Sequence, residues 1–425
     1  MKKLSIIVPV YNMVSGGRLR FCLDSLVNQT LAHDDYEIVA VDDCSTDDSY
    51  AMLGDYAARF PERFVVLKTP ENLRQGGAKN LGLAHAKGAW IGFVDSDDFV
   101  APAFYERLLA LAAHEDADMA GCDLWRTKKQ SFADGYERIR GLPDVNADGD
   151  AGTDAEKNGD SHAGADMSGD AHAEAVCHMR GRLVLDGGYL PPKIFKRNIV
   201  YGKLDPLAGF TLPANGRVPV FPEKVFYEDN AAGPVMMARV TRFAYLPDAL
   251  YYYYQGGEGI SSGASTTRTV TRERLKDRMR AAKIMLEHAK RERYTVSETD
   301  GARDSAPAGS TVAGEDSGES DSAAKSIYEV LKDAFDYRFT QLFYVNTLFS
   351  AMQSVDLTGC YSFTRALVRL MKKLMPDFME NPYYKKRTAA EEQELIEMQM
   401  KSHLRFYAYY RALWMYRTHF GKNRG

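Results

Sequence analysis

Three carboxylates that could bind a metal stand close together: Asp95, Asp97 and Asp98 follow directly on the apolar run at residues 89–94. Such a run predicts a buried strand, and open α/β sheets bind their ligands at the carboxyl ends of their strands. Packed carboxylates repel one another and lose hydration, so a fold that gathers them usually compensates with a divalent cation. The residues therefore predict a site for a hard metal ion.

A second acidic pair follows an earlier apolar run. Residues 36–41 lead into Asp42 and Asp43, and a further apolar run covers residues 4–10. Taken alone, an Asp pair after a strand is more often a helix cap or a solvated turn. Its repetition at the same end of successive strands favours a binding edge. The runs alternate with stretches of helical periodicity at residues 18–28, 47–60, 76–86 and 102–114, the βαβ rhythm of a parallel sheet.

Five segments in unbroken order resemble the family 2 glycosyltransferases. That resemblance implies an α/β fold of the GT-A type, a Rossmann-like, mostly parallel sheet flanked by helices, which binds a nucleotide sugar. The segments are SIIVPVYN at residues 5–12, LDSLVNQT at 23–30, VDDCSTD at 41–47, AKNLG at 78–82 and FVDSDD at 93–98.

The resemblance implies a donor site and a metal site in this half of the chain. Mn²⁺ or Mg²⁺ would bind Asp97 and Asp98, bridge the donor diphosphate and stabilise the charge that grows on the leaving group. Pro9, Tyr11 and Asp43 fall where the family holds the base and ribose. The full set of implied donor-binding residues is Pro9, Tyr11, Asp42, Asp43, Arg74, Lys79 and Asp95.

Two positions depart from the family pattern. Cys44 stands where the family usually has Gly, so the turn after Asp43 must avoid a positive φ or carry strain. Lys79 stands where Arg is usual, which replaces a planar fork by a point charge. Neither change removes a carboxylate, so both are interpreted as variation within the family.

The pair Glu228-Asp229 resembles the Glu-Asp pair whose Asp is the family's catalytic base. Asp229 would take the proton of an acceptor hydroxyl as its oxygen attacks the anomeric carbon. Lys193, in a segment that resembles the family's acceptor-side Lys-Leu-Tyr-Lys-Arg stretch, and Glu228 are assigned to the acceptor side. The other interpretation of the pair, an acidic first turn of a helix at residues 230–239, is compatible with this one.

A tyrosine run at residues 251–254 precedes a loop rich in glycine and serine. It resembles the family's Tyr-rich strand and flexible loop. An ordinary aromatic edge strand followed by a glycine turn explains the same residues, and the sequence leaves both interpretations open.

Composition is that of a globular enzyme kept in a reducing cytosol. The 425 residues are 45% apolar and 26% charged, and the five cysteines show no spacing typical of disulfides or a zinc site. We expect no signal peptide, because the first apolar stretch is short, and no apolar stretch reaches the roughly 20 residues of a membrane span. A net charge of −4 and the lack of a recognised motif argue against nucleic acid as a partner.

Two acidic stretches are too poor in large apolar side chains to offset their chain entropy and are predicted to be disordered. The predicted organisation is a transferase domain at residues 1–265 with a disordered acidic insertion at 144–178, a basic amphipathic helix at 266–296, a disordered acidic linker at 297–325 and a helical appendage at 326–425.

The end of the chain combines basic and aromatic residues. Residues 401–425 carry six Lys or Arg and no acid, interleaved with aromatic side chains. Such a helix suits an anionic membrane surface, where a lipid-linked acceptor would lie. It suits equally a helix that packs its aromatics on the catalytic domain.

The function predicted from these features is a metal-dependent inverting transfer of a sugar from a nucleotide sugar, with a UDP-sugar favoured by the resemblance. The acceptor would be a saccharide or a lipid-linked acceptor in cell-surface glycan synthesis, and the location cytoplasmic, with peripheral contact at the inner face of the membrane as an open alternative. Transfer of a single sugar to each acceptor is favoured, because the Gln-x-x-Arg-Trp sequence of the family's processive polymer synthases is absent. Two rivals are a non-catalytic nucleotide-sugar-binding or scaffold protein, and a sugar-nucleotide pyrophosphorylase, which would need a Gly-rich basic N-terminal loop.

Overall fold

The first half of the chain folds as its hydrophobic pattern predicts, with apolar strands alternating with amphipathic helices. In the computed structural model of the protein, β1 and β2 are buried at every residue. Strands enclosed between two helical layers have no solvent-facing side, which explains why they read as continuous apolar runs. The structure describes residues 2–132, 137–140, 169–186, 188–255, 270–293, 325–353 and 359–420.

Nine strands of the described residues form one sheet in the order β3-β2-β1-β4-β8-β6-β9-β5, with β7 paired to β6. The pairs within β3-β2-β1-β4 and the pair β6-β9 are parallel, and the other pairs are antiparallel. The strands are β1 Leu4–Val10, β2 Tyr36–Asp42, β3 Phe64–Lys68, β4 Trp90–Phe93, β5 Phe99–Val100, β6 Met119–Thr127, β7 Glu137–Ile139, β8 Lys193–Lys196 and β9 Phe243–Tyr254. The expected α/β class is confirmed.

Helices cover both faces of the sheet. Those before the C-terminal region are α1 Arg18–Val27, α2 Ser49–Arg59, α3 Arg74–His85, α4 Phe104–His114, α5 Gly169–Asp186, α6 Arg197–Tyr201 and α7 Glu228–Met237. The C-terminal region contains α8 Arg272–Arg291, α9 Ile327–Val330, α10 Lys332–Phe339, α11 Asn346–Gln353, α12 Cys360–Leu374, α13 Pro382–Arg387, α14 Ala390–Lys401 and α15 His403–Phe420, with a π-helical turn at Thr340–Val345 between α10 and α11.

Two hydrophobic cores lie on opposite faces of the sheet because successive strand residues point to opposite sides. Ile6 and Val8 of β1 belong to the core under α1, α2 and α4. Ile7 belongs to the other core, which also contains Phe335 and Phe343 from the C-terminal helices. The C-terminal helical region, predicted as an appendage, therefore shares a continuous core with the sheet.

The predicted acidic stretches lie mostly outside the described residues, namely 144–168 and 297–324. Residues 169–178, predicted to end the first insertion, instead begin α5, so that boundary is wrong. The acidic composition before Val176 gives no sign that a helix begins there. The helix buries side chains such as Val176 and Leu183 against the rest of the fold. The described residues on either side of the second stretch lie next to each other, since the Ile327 N–H donates to the Glu292 carbonyl over 2.9 Å.

The aromatic residues of α15 divide between a buried and an exposed side. Phe406 and Tyr410 are buried, and the Tyr410 ring lies 5.6 Å from that of Phe349 in α11. Tyr409 and Tyr416 are exposed. Throughout the described part of the chain, no helix combines the length and apolarity needed to cross a membrane.

Candidate active site

Three neighbouring strands deliver polar residues to one edge of the sheet. Val10 at the end of β1 lies opposite Asp42 at the end of β2, and the Asp43 N–H donates to the Val10 carbonyl over 2.8 Å. On the other side, Ile7 of β1 lies opposite Phe93, the last residue of β4. Tyr11, Asp43 and Asp95 therefore leave the sheet side by side, as the repeated pattern predicts.

Asp43 is held in one orientation by its neighbours. Its Oδ1 accepts hydrogen bonds from Thr69 Oγ1 at 2.9 Å and from the Leu73 N–H at 2.8 Å. Burial raises the pKa of this carboxyl, although those hydrogen bonds oppose the shift. One carboxylate oxygen is thus used by the protein, and the side chain is fixed at the start of α3.

Asp42 accepts a hydrogen bond within the turn after β2 and is not exposed at the surface of the site. It is fully buried, and its Oδ2 accepts from the Ser45 N–H at 3.1 Å and lies 3.7 Å from Lys68 Nζ. Within the described residues its Oδ1 has no hydrogen-bond partner. Of the other implied nucleotide-binding residues, Pro9 is buried opposite Val41 within β1, whereas Tyr11 is 36% exposed.

The turn after Asp43 adopts the positive φ that a residue other than glycine reaches only with strain. Cys44 has a φ of 60° and Asn12, which faces it from the end of β1, a φ of 51°. The Asn12 side chain secures the turn, because its Oδ1 accepts from the Thr46 N–H at 2.8 Å. A left-handed φ at a residue other than glycine is strained, and it persists only because the surrounding hydrogen bonds hold the backbone in place.

The three acidic residues after β4 occupy different environments. Asp98 is fully buried, and both of its oxygens are used: Oδ2 accepts from Tyr251 Oη at 2.7 Å and Oδ1 from the Tyr254 N–H at 2.9 Å. Burial raises the pKa of Asp98 and of Asp97, and burial with the charges of Asp97 and Glu228 raises that of Asp95 to about 6. The cluster carries more negative charge than the described protein groups neutralise.

A divalent cation fits this donor set. Among the described residues no group of three His, Cys, Asp or Glu side chains is arranged to hold a metal. Mg²⁺ at phosphate-transfer sites is, however, bound by one or two carboxylates together with phosphate oxygens of the substrate. Asp97 is the first candidate ligand, and Asp98 could contribute only a lone pair left over from its two hydrogen bonds.

The predicted base lies in the first turn of a helix, as one of the two interpretations of the Glu228-Asp229 pair predicts. Asp229 Oδ1 accepts from the backbone N–H and the Nδ2 of Asn230, at 2.8 and 2.9 Å. No described residue donates a hydrogen bond to the second oxygen. Burial, followed by the charge of Glu228, raises the pKa of Asp229 to about 7. The group can therefore exchange a proton near neutral pH.

Three basic residues of the predicted site are used by the protein itself. Lys79, expected to face the donor phosphates, instead donates to Glu228 Oε1 over 2.7 Å and is only 3% exposed. Arg74 pairs with Glu273 of α8 at 2.6 Å. Lys193, assigned to the acceptor side, is buried, donates to the Tyr189 carbonyl at 2.7 Å, and has its pKa lowered to about 8 by burial.

The glycine-rich start of α3 is explained by close packing against the segment before α7. A Cβ on Gly76 would lie 2.1 Å from the Pro222 carbonyl oxygen. Further along the helix, the Asn80 side-chain amide donates to the Phe221 carbonyl at 2.8 Å and accepts from the Phe221 N–H at 2.9 Å. This contact joins the donor half of the site to the half that carries Asp229.

The amino-acid sequence of the first half of the chain decides the family. Residues 5–165 match the family model "Glycosyl transferase family 2". This segment is a family 2 glycosyltransferase domain. Asp229 lies beyond the matched residues, on the helix that Lys79 contacts through Glu228.

Relatives of the family 2 domain include glycosyltransferases of bacteria. The domain is 45% identical over 98 residues to a poly(ribitol-phosphate) beta-glucosyltransferase of Bacillus spizizenii, a match that covers 23% of this chain and 15% of the relative. It is 39% identical over 121 residues to the glycosyltransferase YibD of Escherichia coli, covering 28% and 33%. The match thus spans a third or less of either relative.

Among solved structures, the family 2 domain and its helices are similar to residues 1–349 of TarS from S. aureus in complex with UDP-GlcNAc. The TM-score is 0.48 at 17% identity, covering 94% of this chain and 91% of that one.

Four residues of the site were not found by sequence reasoning about the family 2 domain. Tyr251 holds Asp98 through its hydroxyl and Tyr254 through its backbone N–H, and β9 is an interior strand between β6 and β5 rather than an edge. Asn230 holds Asp229, and its position next to the predicted base was the available signal. Arg338 reaches Asn230 from α10, and nothing local in the sequence indicates that contact.

Proposed function

We propose that the chain is a metal-dependent inverting glycosyltransferase that moves a sugar from a nucleotide sugar to a saccharide or lipid-linked acceptor. The observation that carries the proposal is the state of Asp229. One carboxylate oxygen is tied by two hydrogen bonds from Asn230, and the other has no hydrogen-bond donor among the described residues. A carboxylate fixed in this way, in the first turn of a helix beside a family 2 domain, is arranged to accept a proton.

Asp229 is the proposed general base. Its pKa of about 7, raised by burial and by Glu228, makes it basic enough to take a hydroxyl proton while about half of the molecules carry it ionised at neutral pH. As the acceptor oxygen forms its bond to the anomeric carbon, its proton moves to Asp229. The bond between the anomeric carbon and the diphosphate breaks on the opposite face, which inverts the configuration.

Asp97, Asp98 and Asp95 are proposed to serve the leaving group. Mn²⁺ or Mg²⁺, bound mainly through Asp97 and phosphate oxygens, would supply positive charge to the leaving nucleoside diphosphate. Burial raises the pKa of all three carboxyls, and neighbouring carboxylates add to the shift at Asp95 and Asp98, which supports a cationic ligand there. Tyr251 and Tyr254 keep Asp98 in place, and this fixes the turn that carries Asp97.

Asp43 and Tyr11 are proposed to bind the base and ribose of the donor, with UDP as the nucleotide. Asp43 is oriented by Thr69 and Leu73, and Tyr11 is exposed beside it at the end of β1. An oriented carboxylate that accepts from a ring N–H, with an aromatic side chain next to it, is a chemically complete recognition element for a pyrimidine. Pro9 and Asp42 are proposed to support this edge of the sheet from their buried positions in β1 and β2.

Glu228 is proposed to stand on the acceptor side without acting as a base, because Lys79 neutralises it. The name of the Bacillus spizizenii relative, a poly(ribitol-phosphate) beta-glucosyltransferase, supports a polymer as the acceptor. The exposed Tyr409 and Tyr416 on the basic helix α15 support contact with the inner membrane surface if that acceptor is lipid-linked.

The test is release of nucleoside diphosphate from UDP-, GDP- and dTDP-sugars with Mn²⁺, in the presence and absence of a chelator. We expect turnover of one donor class that the chelator stops. Asp229→Asn and Asp97→Asn should each abolish turnover, and Asp229→Asn should still bind the donor. Asp55→Asn, which changes an exposed carboxylate on α2, is the matched control and should retain full activity.

Two results would contradict the proposal. Donor binding without turnover on any acceptor mixture, together with unchanged behaviour of Asp229→Asn, would favour the binding or scaffold protein. Undiminished turnover with chelator present would remove the metal from the mechanism.

A further inference from the structure

Arg338 brings a positive charge from the C-terminal helices to the proposed base. Its Nη2 donates to Asn230 Oδ1 at 2.8 Å, and its Nη1 donates to the Leu185 carbonyl at 3.3 Å. Asn230 in turn donates through Nδ2 to Asp229 Oδ1 at 2.9 Å. Residues 108 positions apart in sequence are thus joined in a chain that ends on a carboxylate of the candidate active site.

Two glycines make room for this chain of contacts. Gly188 has a φ of +141°, and a Cβ there would lie 2.7 Å from Arg338 Nη2 and 3.1 Å from Asn230 Oδ1. A Cβ on Gly233 of α7 would in turn lie 2.9 Å from the Gly188 Cα. The backbone therefore approaches α7 closely at the point where the guanidinium meets the amide.

Arg338 differs from several part-buried arginines of the fold, which form ion pairs. Arg239 pairs with Glu292 and Arg197 with Asp205, through short ionic hydrogen bonds. Within the described residues no carboxylate forms an ion pair with Arg338, and its Nε is buried with no hydrogen-bond partner. Burial lowers the pKa of Arg338, and the charges of Asp229 and Asp186 oppose that shift, so the guanidinium interacts with the proposed base through space without a direct ion pair.

We propose that Arg338 is a positioning residue for Asp229 and acts through the side-chain amide of Asn230. An Asn amide can present either its oxygen or its NH₂ group, and only the orientation with NH₂ toward Asp229 makes the observed hydrogen bond. Arg338 has donors only, so its contact with Oδ1 fixes that orientation. Asp229 Oδ1 is then always occupied, and the second oxygen is the one offered to the acceptor.

The inference rests on the proposed function, in which Asp229 is the base. It makes the C-terminal helices part of the active site: α10 carries Arg338 and packs on α5, which itself packs on α7. The charged groups around Asp229 are then Glu228 on its own helix, Lys79 from α3 and Arg338 from α10.

The first experiment compares Arg338→Met and Arg338→Lys with the wild-type protein. We expect Arg338→Met to lower kcat about ten- to hundredfold, the scale of a misplaced catalytic group, while the donor Kd stays unchanged. The acid limb of the pH–rate profile should move to higher pH, because a loosened Asn230 no longer favours the charged form of Asp229. Arg338→Lys should recover part of the loss.

A double-mutant cycle separates action through Asn230 from a general loss of packing. Asn230→Ala should lower kcat as Arg338→Met does, and the double variant should be no worse than either single one. Arg387→Met is the matched control, because Arg387 also ties the C-terminal helices to α5, through Asp186, but does not contact Asn230. It should leave kcat and the pH profile unchanged.

A readout that needs no turnover keeps this inference distinct from the proposed function. In a ¹³C-detected titration of Asp carboxyl groups, the pKa of Asp229 should rise in Arg338→Met and stay in place in Arg387→Met. An unchanged Asp229 pKa, additive losses in the cycle, or an equal effect of Arg387→Met would overturn the role of Arg338. Absence of turnover in the wild-type protein would instead contradict the proposed function, and the titration would still decide the role of Arg338.

Discussion

Lys79 Nζ donates a hydrogen bond to Glu228 Oε1 over 2.7 Å, between side chains that are only 4% and 6% exposed. The pair joins α3, which starts at the edge where the donor is proposed to bind, to the first turn of α7, which carries Asp229. Burial alone would lower the pKa of Lys79, but the charges of Glu228, Asp95 and Asp229 outweigh it and raise that pKa. The two halves of the candidate site are thus linked by a buried ion pair.

Breaking that pair should be costly. Lys79→Met leaves the Glu228 charge buried without a partner, and we expect the free energy of unfolding to fall by about 3–5 kcal/mol in urea titrations. The exposed pair Arg107–Asp248, with side chains 43% and 45% exposed, is the matched control, and Arg107→Met should change the free energy by less than about 1 kcal/mol. Equal losses in the two variants would show that Lys79 is not held in a desolvated pair.

The pH dependence of the reaction should report the ionisation of Asp229. Its pKa is raised to about 7, so the carboxyl is protonated below that pH and cannot accept the hydroxyl proton. We expect kcat/KM to fall about tenfold per pH unit below pH 7 and to level off above it, measured with saturating Mn²⁺. Because folding raises this pKa, the contribution of Asp229 to stability falls as the pH increases through about 7.

Asp229→Asn provides the check on that assignment. Any residual activity in this variant should lose the acid limb, since the titrating group has gone. If the limb persists at the same pH, another group sets it.

Gly76 should tolerate no side chain. A Cβ would lie 2.1 Å from the Pro222 carbonyl oxygen and 3.3 Å from the Glu228 Cβ, so Gly76→Ala should force α3 away from the segment before α7. We expect a loss of about 1–3 kcal/mol in the free energy of unfolding, and lower activity with it.

Gly54→Ala is the control for that substitution, because it adds a methyl group to a helical glycine that has no neighbour within 4 Å of the new Cβ. It should stabilise the protein by about 0.5–1 kcal/mol through the better helix propensity of alanine. A Gly76→Ala variant as stable as Gly54→Ala would contradict the close approach.

Cys44 should be a point of backbone strain. Its φ of 60° suits glycine, which the family usually has there, and Cys44→Gly removes the Cβ clash at the expense of more unfolded-state entropy. We expect a net gain of at most about 1 kcal/mol in thermal or urea unfolding. Cys44→Ala keeps the Cβ and should leave stability unchanged, so a gain in Cys44→Ala would assign the effect to the thiol instead.

The sequence predicted the donor half of the fold well. Expected strands at residues 4–10 and 36–41 are observed at Leu4–Val10 and Tyr36–Asp42, and the expected helix at 18–28 at Arg18–Val27. These elements are short, and the local spacing of their apolar residues predicts which of them are buried. The convergence of Tyr11, Asp43 and Asp95 followed from one rule, that parallel strands end at a common edge.

The roles of individual side chains were harder to predict. Lys79 was assigned to the donor phosphates by resemblance, yet its partner is Glu228, 149 residues away. Asp98 was paired with Asp97 as a metal ligand, yet both its oxygens accept hydrogen bonds from β9, in a part of the sequence with no acidic pattern. A carboxylate looks the same in sequence whether its oxygens are taken or available.

The sequence by itself determined the family, the order of strands and helices in the first half, and the identity of the acidic groups at the strand ends. Only the tertiary structure decided which of those groups are neutralised, and that the C-terminal helices share the core beneath β1 and carry Arg338 to Asn230. The reason is physical. Hydrophobic periodicity encodes which face of an element is buried, whereas an ion pair or a hydrogen bond depends on atoms brought within 3 Å of each other by the packing of elements distant in the chain.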